Sequence, residues 1–254
     1  MMADQLLMDS ATIIVVRDGE YSEKLGTLEV LMVKRHKDID FAGGAYVFPG
    51  GKVDAEDLVF EKNIDDGFSD FLYTAFREVF EESGLIIGEM RGSLKSPEYL
   101  DKCRKQILDG TLKFADFIKK SAIEFHFNDI VPFARWITPK IYPKRYDTRF
   151  FLAKSPQDQQ ASPDHGEVVE AIWGKPLEFI EEFRSNMMFP TIMNLQMIGQ
   201  SLSVKDAFEQ AQARKIITVE PQLIDDKRYI DPLAGYGEID QGNIHQGFRK
   251  PPAK

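Results

Sequence analysis

The period of apolar positions changes several times along this chain. "ATIIVVRDG" and "LEVLMVKR" are β-rich runs separated by the polar "EYSEKLGT", which predicts two strands. "GGAYVFPGG", with Gly43, Gly44, Gly50, Gly51 and Pro49, predicts a loop with a short strand inside it. Residues 52–67 are acidic and turn-like. Phe68, Phe71, Leu72, Ala75, Phe76, Val79 and Phe80 then alternate spacings of three and one, which is one face of a helix. Ser83-Gly84 ends it, and "GLII" reads as a strand. "SPEYLDKCRKQILDG" predicts a helix with Ser96 as N-cap and Pro97 at its first position, and "TLKFADFIKKS" a second, shorter one. "IVPFARWITP" and "RYDTRFFLAK" read as strands joined by a Pro/Lys loop. Three helices follow in "PLEFIEEFRSN", "PTIMNLQMIGQ" and "SVKDAFEQAQAR", and the tail from about Ile216 is loop-rich. There is no internal repeat. The order predicts a mixed α/β sandwich.

Composition changes this picture little, but charge narrows the partners. A formal net charge of −9 argues against nucleic acid, whose binders present basic surfaces. It leaves small anions open, because a metal ion screens carboxylates from phosphates. The single cysteine, Cys103, forms no intramolecular disulfide and reads as a bystander on its helix. No apolar run long enough for a membrane span and no secretory pattern are visible, so the expected compartment is the cytoplasm.

The helix pattern carries the candidate chemistry. Glu78, Glu81 and Glu82 crowd one side of it, opposite the phenylalanine stripe. Such a cluster costs helix stability unless something offsets it. Arg77, four residues before Glu81, can pair with it. A solvated acidic face is the bland alternative. "FPGGKVD" argues against it, because glycines let a backbone approach a ligand closely. Mg²⁺ takes oxygen ligands, few of them carboxylates, together with substrate phosphates.

These residues resemble the nudix box, G-x5-E-x7-R-E-U-x-E-E-x-G-U, where U is apolar. Arg77, Glu78, Val79, Glu81, Glu82, Gly84 and Leu85 match its second half, and Gly51 its first glycine. The box would place its arginine 14 residues after the glycine, whereas Arg77 follows Gly51 by 26, an insertion of 12. Counted forward from Gly51, the early glutamate position falls on Asp57; counted back from Arg77, it falls on Ser69, beside Asp70. No role is assigned to it. The resemblance implies a nudix-type α/β/α sandwich with a mixed sheet and extra C-terminal helices. It also implies an enzyme that hydrolyses, with Mg²⁺ or Mn²⁺, a nucleoside diphosphate linked to another group. Glu78, Glu81, Glu82 and the Gly50 carbonyl would be metal ligands, and Arg77 would orient the glutamates. Glu78 is one candidate base. A loop acid after the box is the other, and "DHGEVVEAIW" offers Asp164, Glu167 and Glu170, with Glu167 the candidate.

Upstream, "LMVKRHKDIDFAGGAYVFPGG" partly matches the coenzyme A signature of one nudix branch through Leu31, Arg35, Gly44 and Phe48 to Gly51. Asp40 stands where that branch has a second arginine. "GAYVFPGGKVD", "EESGL" and "W-x-T-P…RYDTRFF" resemble the peroxisomal coenzyme A diphosphatase branch, which also has an insertion in its box, and its bacterial relatives. The implied domain spans residues 10–214, with insertions at 58–69 and 96–121 and a helical part at 175–214; residues 215–254 form the tail. The implied substrate is coenzyme A or acyl-coenzyme A, giving 3′,5′-ADP and (acyl-)phosphopantetheine. ADP-ribose, NADH or a nucleotide sugar is the alternative, and a non-catalytic nucleotide sensor a second one. Lys140, Lys144, Arg145 and Arg149 form a basic patch interleaved with Trp136 and Tyr146. It suits phosphates and a stacked base equally as well as a plain strand pair with solvated charges. The expected substrate-binding set is Arg35, Phe48, Trp136, Lys144, Arg145 and Tyr146. The C-terminal helices either pack on the core or form a homodimer interface, and the sequence does not separate these.

Overall fold

The computed structural model describes residues 6–39, 42–57, 68, 71–91, 96–225 and 227–241. The insertion expected at 58–69 therefore lies outside the described residues except Phe68, as do Asp40, Ser69 and Asp70. Strands β1 (Leu7–Ser22) and β2 (Gly26–Arg35) are followed by the short β3 (Tyr46–Val47) and β4 (Gly50–Lys52). Helix α1 (Leu72–Ser83), strand β5 (Gly88–Met90), helices α2 (Pro97–Leu108) and α3 (Phe114–Lys120) and strand β6 (Ile123–Phe125) come next. Then come β7 (Ile130–Ile137), β8 (Arg145–Lys154), β9 (Val168–Gly174) and helices α4 (Pro176–Phe183), α5 (Phe189–Ile198) and α6 (Val204–Ala213). Three short strands close the described chain: β10 (Thr218–Val219), β11 (Gln222–Ile224) and β12 (Lys227–Tyr229).

β1 is the central strand of a mixed sheet ordered β10-β7-β8-β1-β2-β3. It runs parallel to β8 from Leu7↔Arg145 to Val16↔Lys154. Its other edge is shared. The first half pairs with β4 (Thr12↔Gly50), the second with β2 (Val16↔Val30), both antiparallel. β9 pairs antiparallel with β2. Side chains alternate faces along a strand, and here both faces are covered. Ile14, Val16, Leu28, Val30, Met32, Phe150 and Leu152 join α4, α5 and α6 in one core. Ala11, Ile13, Val15, Leu31, Phe151 and Ala153 join α1, α2 and α3 in the other. The fold is an α/β/α sandwich, as expected.

Two local expectations change. "GLII" forms no strand. Gly84 takes the left-handed conformation (φ 74°) and closes α1 by donating to the Phe80 carbonyl. Ile86 then gives its N–H and C=O to the side-chain amide of Gln159 rather than to a ladder. β9, whose middle residues are half-buried and do not alternate, is a strand without an alternating signature in the sequence. Among the described residues no helix is long and apolar enough to cross a membrane.

The described part of the loop-rich tail packs on the core through Val219, Ala234 and Tyr236. β10 pairs in parallel with β7 (Val219↔Trp136). The buried Tyr236 accepts from the Trp136 indole at 2.8 Å and donates to Asn194 Oδ1 at 2.8 Å. Tyr236→Phe should strand the indole N–H and lower stability by about 1–3 kcal/mol. A shifted denaturant midpoint with an unchanged slope is expected; an unshifted midpoint would show that the tail is not anchored there.

Candidate active site

α1 lies across β1 and β4 because its stripe of Ala75, Phe76, Val79 and Phe80 is buried against the sheet and α3. Phe80 stacks on Phe117, and Phe76 on Phe125. That packing turns the charged side of the helix toward the glycine loop rather than into open solvent. Arg77 is itself buried. Its Nε and Nη2 donate to the two oxygens of Asp57 at 2.9 and 2.8 Å, and Nη2 also donates to the Lys52 carbonyl at 2.9 Å. Nη1 donates to Glu78 at 2.8 Å and to Glu81 at 3.0 Å. Burial works against the guanidinium charge, but Asp57, Glu78 and Glu81 outweigh it and raise the Arg77 pKa.

Asp57, on which the forward count from Gly51 falls, is the carboxylate that meets Arg77; Ser69 and Asp70, on which the backward count falls, lie outside the described residues. Asp57 also accepts from Thr74 Oγ1 at 2.8 Å and from the Asp54 amide at 3.0 Å. Contiguity of the glycine loop and β4 was the available signal for Asp57.

Glu82 is buried. It accepts from the Gly50 amide at 3.0 Å and pairs with Arg35 at 3.5 Å. Gly50 thus reaches Glu82 through its N–H. Glu78 packs on Gly51, where a Cβ would come within 2.4 Å of Oε1. Burial raises the pKa of all three glutamates. Glu78 is pushed up to about 7 against the pull of Arg77. Glu82 is raised by burial and by Glu78, against Arg35.

The ion pairs set six carboxylates (Asp54, Asp57, Glu78, Glu81, Glu82 and the exposed Glu167) against two guanidiniums (Arg35 and Arg77). Among the described residues, no three His, Cys, Asp or Glu side chains converge as a metal cage. The arginines hold the carboxylate oxygens instead. The donor chemistry, all hard oxygen with uncompensated negative charge, fits Mg²⁺ or Mn²⁺.

The cluster lines a cleft of about 620 Å³. Ser10, Thr12 and Thr148 line it too, with Ser10 and Thr148 hydroxyls 2.7 Å apart. Its wall also carries the apolar and aromatic Phe48, Trp136, Phe150 and Phe189, with Leu223 from the tail and Arg228 over the Phe189 ring. Arg35, Lys144, Tyr146 and Glu167 also line the cleft. Glu167 is exposed and lies 4.0 Å from Arg35. Phe48 and Trp136 are buried core residues as well as cleft wall.

The basic patch is divided by strand alternation. Tyr146, Thr148 and Phe150 of β8 face the cleft. Arg145 and Arg149 take the other side. Arg145 is held by the Thr138 carbonyl and Glu220, and Arg149 by Asp147 over the Phe71 ring. Arg145 is thus absent from the cleft wall, contrary to expectation. Glu170, another acid of the loop segment, accepts from Tyr46 and is structural.

A family model described as the NUDT19 Nudix domain matches residues 64–196. The chain belongs to the nudix hydrolase family. A relative from Caenorhabditis elegans that carries a nudix hydrolase name is 26% identical over 231 residues, 88% of this chain and 74% of its own. Proteins named acyl-coenzyme A diphosphatase NUDT19 from Xenopus laevis and Homo sapiens are 24% and 23% identical, covering 63% and 76% of this chain. The chain spans only 56% and 66% of the length of those two. The crystal structure of a nudix hydrolase from Alicyclobacillus acidocaldarius superposes with a TM-score of 0.68 at 25% identity, over 82% of this chain and 97% of that one. The protein is a nudix hydrolase, and its reaction class is pyrophosphate hydrolysis. The insertion sets this nudix box apart, yet Asp57 and Arg77 still meet.

Asp57→Ala would leave the buried Arg77 without its bidentate partner. A loss of about 3–5 kcal/mol is expected from breaking such a pair, read as a lowered unfolding midpoint. Gly51→Ala should keep the fold but displace the Glu78 carboxylate; hydrolysis falling at least about tenfold at near-wild-type Tm is the expected result.

Proposed function

We propose that this nudix hydrolase cleaves the diphosphate of coenzyme A or an acyl-coenzyme A, releasing 3′,5′-ADP and (acyl-)phosphopantetheine, with Mg²⁺ or Mn²⁺ as cofactor. The observation that carries this reading is a single cleft lined both by the carboxylate cluster and by apolar, aromatic side chains. A substrate with a diphosphate joined to a long, partly apolar arm suits such a lining. The names of the Xenopus laevis and Homo sapiens relatives support the same substrate class.

Glu78, Glu81 and Glu82 would hold the metal, which would polarise the phosphoryl oxygens and lower the pKa of the attacking water. Arg77 orients Glu78 and Glu81 by donating to each. Arg35, between Glu82 and Glu167, places positive charge where a phosphate can be met. Glu167 Oε, exposed on the cleft wall, accepts the proton of the attacking water in this reading. Glu78 is the alternative base, buried with its pKa already raised. Tyr146 and Trp136 offer aromatic surface for a base or an arm, and Lys144 a cation near them. ADP-ribose, NADH and nucleotide sugars share the diphosphate and form the competing substrate class.

The test is turnover of coenzyme A, an acyl-coenzyme A, ADP-ribose, NADH and nucleotide sugars with Mg²⁺, with products identified by mass. Appearance of 3′,5′-ADP, lost in Glu81→Gln/Glu82→Gln, is expected. Cleavage of another compound, also lost in the double variant, would keep the chemistry and overturn the substrate. Mg²⁺ should raise the Tm of the wild type but not of the double variant.

A further inference from the structure

The loop between β8 and β9 carries Asp164 and Glu167, both on the cleft wall. It is stitched to the C-terminal end of α1. Ser162 donates its amide to the Ser83 carbonyl at 2.9 Å, and Gln159 brackets Ile86. The third stitch comes from elsewhere. Arg104 belongs to α2, in the helical segment inserted after the glutamate helix. Its Nε donates to the Glu81 carbonyl at 2.8 Å. Its Nη1 reaches Ser162 Oγ at 3.3 Å and the Pro163 carbonyl at 3.5 Å. One guanidinium therefore grips the peptide that joins Glu81 to Glu82 and the residues just before Asp164.

The bland explanation is a helix cap, since cations suit helix C-termini. Two observations exceed it. Arg104 is 5% exposed, and its Nη2 is buried with no hydrogen-bond partner. A buried guanidinium with an unpaired arm costs stability, and an apolar side chain would fill the same space more cheaply. Packing alone does not account for it. The grip also continues into the loop. Asp164 accepts the amides of Gly166, Glu167 and Val168 at 3.0, 2.9 and 2.7 Å. That turn fixes where Glu167 stands.

We propose that Arg104 is a positioning residue that sets the loop acid Glu167 at its working distance from the α1 glutamates. The inserted helix thereby tunes the reaction through backbone contacts, with Arg104 itself taking no chemical step. The proposal rests on the reading that Glu167 accepts the proton during hydrolysis. It commits to Glu167 being displaced, not to Arg104 touching substrate.

The test uses the full chain with Mg²⁺ and whichever diphosphate of the panel it turns over. Arg104→Met, Arg104→Lys, Glu167→Gln and Arg104→Met/Glu167→Gln are compared. Arg104→Met should lower kcat about 10- to 100-fold, with KM changed less than about threefold and faster amide exchange at Gly166–Val168. Arg104→Lys should recover part of the loss. In the Glu167→Gln background, Arg104→Met should cost little more, because both changes remove one function. The same loss in both backgrounds, or an unchanged kcat with a folded Arg104→Met, would overturn the proposal. Should Arg104→Met fail to fold, Arg104→Lys carries the same comparison. A Glu167→Gln variant of full activity would sink the base reading instead, whatever Arg104 does. With no turnover of any compound, amide exchange decides: unchanged protection at Gly166–Val168 would refute the positioning role.

Discussion

A guanidinium buried among carboxylates holds the functional end of this molecule together. Arg77 meets Asp57, Glu78, Glu81 and a backbone carbonyl of β4 at once. A rigid fork of five donors can do this; an ammonium cannot. The same contacts join the glycine loop to α1, so the loop lies on the glutamate face even though twelve extra residues separate the two in sequence. Burying Arg77 is tolerable only because its donors are matched. The glutamates, in turn, are kept apart by Arg77 and Arg35 while burial raises their pKa values.

The sheet gives this cluster its setting. β1 shares one edge between β4 and β2, which brings the glycine strand beside the start of β1. β8 lies along the other edge and supplies Tyr146, Thr148 and Phe150 to the cleft. One core lies beneath α1, the other beneath the C-terminal helices. The cleft opens where carboxylates from the first side approach aromatic residues belonging to the second. The tail adds to the apolar wall, anchored through Tyr236 on Trp136 and Asn194.

Much of this was legible. The spacing of Ala75, Phe76, Val79 and Phe80 announced α1, because a helix must bury one stripe. The glutamates, Arg77 and Gly51 were identifiable from their order. Ser96 and Ser203 cap α2 and α6, and Ser96 is legible as a cap from the Pro97 that follows it. The basic patch was not separable by composition. Its members alternate along β8, so Arg145 and Arg149 turn to Asp147 and Glu220 while Tyr146 turns to the cleft. Asp57 was ambiguous because an insertion of unknown position shifts one count and not the other.

The sequence by itself determined the alternating strands, the amphipathic helices and the set of oxygen ligands available to a cation, since periodicity and residue type are local properties. Tertiary structure decided which of those groups meet. Arg104 finds Glu81 and Pro163 from a helix with no motif of its own. Glu82 finds Arg35 and Gly50, and the tail finds Trp136. Such contacts join residues from 23 to 100 positions apart. No local pattern encodes them, because they depend on how two packed layers and the loops between them settle against one sheet.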